Sequence, residues 1–61
     1  MNIIEKLERR VEKYNVGELK DLRETAAKSN DDHSVFVHVA ICNVLERKIG
    51  EEEFDDYMDS I

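Results

Sequence analysis

The sequence predicts an all-α domain, a small bundle of three to four short helices over about residues 2–14, 16–29, 32–49 and 51–60. Three observations carry this. Apolar residues recur at intervals of three and four along most of the chain, the period of a helix face. No proline and only two glycines interrupt those runs. Asparagine, serine, aspartate or glycine stands at every junction between them, where helix ends need caps.

The first helix opens at Asn2, with Glu5 three residues on as a capping partner, and its apolar positions Ile4, Leu7, Val11 and Tyr14 follow a 3-4-3 spacing widened by Ile3. Glu5 and Arg9 form an i, i+4 pair on its wet side. Asn15 is expected both to end this helix and to cap the second, because Glu18 stands at the third position and Tyr14 can staple onto Leu19. The second helix carries Leu19, Leu22 and Ala26 on one thin stripe, with Glu24 and Lys28 paired outside it. That stripe covers a core and does not form its centre.

Ser29, Asn30, Asp31 and Asp32 offer caps and negative charge to the positive end of the third helix; Arg47 and Lys48 suit its negative end, and Gly50 a left-handed terminating residue. Between these marks the run Ser34 to Leu45 is dense in β-branched residues, a strand signal. Its length and its well-marked ends decide for a helix. A turn of about 100° per residue puts His38, Ile41, Cys42, Leu45 and Ile49 on the main apolar side and Asn43 and Arg47 opposite. Phe36 and Val39 lie off that stripe and Val35 sits at its edge, so the amino-terminal half needs a second surface, supplied by the terminal helix or by a symmetry mate. With 61 residues in one domain, a core this small makes homodimerisation an expectation.

Charge is the most uneven feature of the chain. Over residues 1–50 nine bases balance nine acids, so the formal net charge of −6 falls on Glu51, Glu52, Glu53, Asp55, Asp56 and Asp59. The same segment, 51–61, spaces Phe54, Tyr57, Met58 and Ile61 along one stripe, making it an acidic amphipathic terminal helix. Its apolar side is expected to complete the core near Val35, Phe36 and Val39, with Phe54 and Met58 as core contacts. Glu51, Glu52 and Glu53 are accounted for by the helix dipole. Asp55, Asp56 and Asp59 lie beyond its reach and repel one another, which folding does not explain.

Little in the sequence carries chemistry, and no enzyme is expected. His38 and Cys42 are four apart on one face, a spacing at which two side chains can share a metal, but two ligands make no zinc site; the expected metal and cofactor content is none. His33, five before His38, faces elsewhere. A nucleophilic Cys-His pair needs an orienting third group, an oxyanion site and a pocket. The consecutive acids fan around a helix and match no calcium loop. Arg9 and Arg10, with Lys6 and Lys13, interleave with Glu5, Glu8 and Glu12 as a salt-bridged solvent face. The third helix is apolar where a DNA-reading helix must be basic. Direct nucleic-acid binding is therefore not expected, and the His33 to Leu45 run is too short for a membrane span. Met1 to Lys6 shows no signal-peptide pattern and Cys42 is a lone cysteine, so a cytoplasmic location is expected.

In size, acidity and lack of motifs the chain resembles, in type only, the small accessory proteins that bacteriophages and mobile elements use to bind and inhibit host proteins. Proteins of that kind often occupy a nucleic-acid-binding surface. The resemblance implies an acidic protein-binding module or inhibitor and assigns no residues; the acidic face of the terminal helix makes Glu52, Asp55, Asp56 and Asp59 the expected contacts with a basic host surface, imitating phosphates or blocking a protein contact. The alternative is a homo-oligomeric structural bundle. In either case Val35, Phe36, Val39, Phe54, Tyr57 and Met58 are the expected oligomer or helix-packing surface.

Overall fold

A computed structural model describes residues 2–60 and gives α1 (Ile3–Val11), α2 (Val16–Lys28), α3 (Asp32–Ile49) and α4 (Glu51–Asp59), with no strand among the described residues. The third helix is the centre of the bundle. Both α1 and α2 pack along it, and α4 folds back against it less extensively. The shortest extent, 16 Å, matches two helix layers: two Cα cylinders of about 2.3 Å radius, 8–10 Å apart, span about 13–15 Å.

The predicted caps are formed. Asn2 Oδ1 accepts from the Glu5 amide at 2.8 Å. Asn15 and Glu18 form a reciprocal capping box, in which Asn15 Oδ1 accepts from the Glu18 amide and Glu18 Oε1 from the Asn15 amide. Asp31 caps α3 by accepting from the His33 amide at 3.1 Å. Each bond satisfies an amide with no partner inside its helix.

The first helix stops at Val11, short of the expected residue 14, because Asn15 takes the extended backbone of a cap (φ −80°, ψ 173°) and the chain must leave the helix before it. The Tyr14 amide then bonds the Val11 carbonyl, and the Tyr14 ring packs on the core. Gly50 has the positive φ expected of it, but as φ 90°, ψ 160°, an extended conformation and not the left-handed helical one. That region is accessible essentially to glycine alone. It reverses the chain in one residue, and the Gly50 amide closes α3 on the Glu46 carbonyl while its carbonyl receives the Phe54 amide of α4.

The core centres on a cluster of Val11, Leu19, Ile41, Val44 and Leu45, with Leu7, Ala26 and Ala40 also buried. The buried side of α3 is thus Ala40, Ile41, Val44 and Leu45, rotated from the expected stripe; His38, Cys42 and Ile49 are only half-buried. The rotation has a physical cause in α1. Asn43 and Arg47, expected on the far side, meet Glu8 instead: Asn43 Nδ2 donates to Glu8 Oε2 at 3.1 Å and Arg47 to Glu8 Oε1 at 2.6 Å, with Glu12 3.9 Å from Arg47. Among the described residues these are the ion pairs formed; the expected Glu5–Arg9 and Glu24–Lys28 pairs are open, as exposed i, i+4 pairs contribute only a few tenths of a kcal/mol.

Candidate functional site

Six of the nine residues of α4 are acids, and all six are exposed. No side chain caps this helix, so Glu51, Glu52 and Glu53 lie where the uncapped amides favour negative charge. Among the described residues no cation lies within ion-pair distance of Glu52, Asp55, Asp56 or Asp59. The carboxylates form an open acidic face.

The opposite side of α4 attaches it to the bundle, and it does so differently from the expected manner. Phe54 and Tyr57 pack on the Val11–Leu45 core cluster. Met58 is 36% exposed, and Val35, Phe36 and Val39 stay uncovered at 61%, 40% and 37%. The expected closure of the α3 amino-terminal half by α4 is not formed, because the one-residue turn at Gly50 aims the aromatic pair at the α2–α3 junction. Ile61, the last of the predicted stripe, lies outside the described residues.

What receives α4 there is a residue that no sequence motif singles out. Arg23, one of the nine bases of residues 1–50, is 7% exposed. Its Nε donates to the Tyr57 hydroxyl at 2.7 Å, and its Nη1 lies 3.5 Å from His38 Nε2. Lys20 places its ammonium 4.7 Å from the centre of the Tyr57 ring, and the Arg23 guanidinium carbon lies 5.5 Å from it. The Tyr57 ring is thus gripped by cation–π contacts and by its hydroxyl. A signal was present: Arg23 follows Leu19 by four and precedes Ala26 by three, on the edge of the α2 stripe.

The same cluster sets the surroundings of His38 and Cys42. Cys42 Sγ lies 3.9 Å from His38 Nε2, but that nitrogen already faces the Arg23 cation, which opposes a second positive ion. Among the described residues no three side chains of the metal-binding types converge. Burial pushes the Cys42 thiol above its usual range, with Arg23 partly offsetting it. A nucleophilic cysteine needs the opposite shift.

No known protein family matches the chain, and neither a characterised protein nor a solved structure is significantly similar to it. Among the described residues no helix is long and apolar enough to cross a membrane.

Proposed function

We propose that this chain is a small protein-binding module of inhibitor type, whose α4 docks its acidic face on a basic protein surface, such as one that otherwise binds nucleic acid. One observation carries the reading. Six exposed carboxylates, without ion-pair partners among the described residues, crowd a nine-residue helix whose other side is already committed to Arg23, Lys20 and the core. Mutual repulsion on that scale is relieved when a cationic surface arrives, and the long-range field speeds its encounter. Glu52, Asp55, Asp56 and Asp59 are the contact residues of this reading.

The test is capture from nuclease-treated host lysate by the full chain and by a variant carrying Asp55→Asn, Asp56→Asn and Asp59→Asn. The native chain should retain a basic protein that elutes at raised salt, and the variant should lose it while keeping its helical circular dichroism. Equal capture by both removes the acidic face as the binding site.

A second reading, a homo-oligomeric bundle, is favoured by the exposed Val35, Phe36 and Val39. These residues sit in a stretch, His33 to Leu45, free of Asp, Glu, Lys and Arg. Self-association through them makes melting concentration-dependent. A monomer by sedimentation at high concentration rejects this reading.

A further inference from the structure

We infer that the uncovered face of α3 is closed by α4 of a second copy of this chain, in a dimer whose chains have opened at Gly50 so that α3 and α4 run on as one helix. The inference deepens the self-association reading and rests on it.

Register carries the inference. Phe54 follows Phe36 by 18 residues and Tyr57 follows Val39 by 18, which is five turns at about 3.6 residues each. An uninterrupted helix over residues 32–59 therefore stacks the two apolar pairs above one another on a single face. The turn at Gly50 separates them: Phe54 and Tyr57 pack on the core cluster, while Phe36 and Val39 stay 40% and 37% exposed. Two such helices running antiparallel lay the Phe36–Val39 pair of each copy on the Phe54–Tyr57 pair of the other, an isologous contact that closes at two chains. Asn43, Arg47 and Gly50 fill the same face between the pairs, and the charge of Arg47 is already met by Glu8 at 2.6 Å.

The hinge suits this opening. Gly50 alone joins α3 to α4, and short joints held in an unusual backbone conformation favour exchange of the element beyond them. No side chain caps α4, and it contributes no buried residue, so the α1–α3 core survives its departure. Opening breaks the Arg23–Tyr57 bond and lifts Phe54 from the core, which keeps a lone chain folded back. The continuous helix offsets part of that loss. It sets Arg47 and Lys48 four residues before Glu51 and Glu52, i, i+4 pairs that the folded-back chain does not form. The receiving stretch, His33 to Leu45, holds no acid to repel the incoming helix. At about 1.5 Å per residue a helix over 32–59 is about 42 Å long, against 27 Å for the longest dimension of the folded-back chain, so an opened α4 stands clear of its own bundle and meets a neighbour.

The experiment joins sedimentation equilibrium of the native chain and of Gly50→Ala to pulsed electron spin resonance. Spin labels go on His33→Cys and Asp56→Cys in a Cys42→Ser background, and labelled chain is diluted with unlabelled so that the distance read lies within one chain. Alanine favours a helical residue 50 and strains the folded-back one, so Gly50→Ala should dimerise about tenfold more tightly than the native chain, or better. On dimerisation the label distance should lengthen from within the 27 Å of the folded-back chain to about 35 Å. A dimer whose label distance stays within 27 Å keeps the self-association reading and overturns the exchange of α4. Gly50→Ala that dimerises no more tightly than the native chain, a measurement needing no label or cysteine change, overturns it too. Monomers of both chains at millimolar concentration remove the inference and the self-association reading together.

Discussion

Arg23 Nε and the Tyr57 hydroxyl stand 2.7 Å apart across 34 residues of sequence, and this bond ties α4 to α2. It is the polar complement of the apolar contact that Phe54 makes with the core. A buried guanidinium costs several kcal/mol if left without acceptors, so Arg23 has a stake in keeping Tyr57 in place. The acidic helix therefore stays folded back despite its own repulsion.

Tyr57→Phe should isolate the hydroxyl, since the ring keeps its place beneath Lys20 and on the core. A hydrogen bond to a charged group contributes about 1.5–3 kcal/mol, and the lower part of that range is expected here because the pair is only part-buried. Urea unfolding followed by circular dichroism measures it. A loss within experimental error would mean that water replaces the hydroxyl at Arg23.

Much of this fold was legible because caps are local. Asn15 and Glu18, or Asp31 before His33, announce a helix start through residues within one turn of each other, and the structure forms both. The face of α3 was read less well. Its apolar residues span most of the circumference, so periodicity alone fixed a helix but left its rotation open, and a long-range clasp between Glu8 and Asn43 with Arg47 decided it. Arg23 was missed for a related reason. Its spacing from Leu19 and Ala26 places it at the edge of the α2 stripe, but its contact with Tyr57, from the other end of the chain, is encoded by no local pattern.

The Glu8 clasp makes a graded prediction. Glu8→Gln keeps an acceptor for Asn43 and removes the ionic part of the Arg47 contact, so a loss of about 0.5 kcal/mol is expected, given that the Arg47 side chain is 54% exposed. Glu8→Ala removes both contacts and should cost about 1 kcal/mol. The difference between native and Glu8→Gln should shrink as salt is raised, because an exposed pair is screened. An equal difference at low and high salt would assign the clasp to hydrogen bonding alone.

The two glycines should respond in opposite directions. A Cβ at Gly50 meets nothing within 4 Å, so any cost of Gly50→Ala comes from the backbone, whose φ of 90° strains an L-residue by about 1–3 kcal/mol. Gly17 lies within α2, where its Cβ would meet Asn15 Oδ1 at an ordinary 3.4 Å. Gly17→Ala should stabilise by about 0.5 kcal/mol through helix propensity and a less free unfolded chain. Chemical denaturation of both variants checks this, and a stabilised Gly50→Ala would show that α3 and α4 can run on as one helix.

Cys42 gives a pH dependence of defined sign. Burial raises its thiol above the ordinary value of 9.0, and Arg23, lying close, partly opposes the rise. In the unfolded chain the thiol therefore loses its proton at a lower pH than in the folded one. At pH well below 9.0 both states hold the proton, and Cys42 contributes nothing that varies with pH. As pH rises through the unfolded value the unfolded state gains the thiolate first, so stability falls until the folded thiol titrates too. Lysines and tyrosines change charge in the same alkaline range, and subtracting a Cys42→Ala variant removes their share. The difference in unfolding free energy between native and variant should be flat near neutrality and should turn against the native chain above pH 9.0. A difference that moves in favour of the native chain there would mean that Arg23, and not burial, dominates at the thiol.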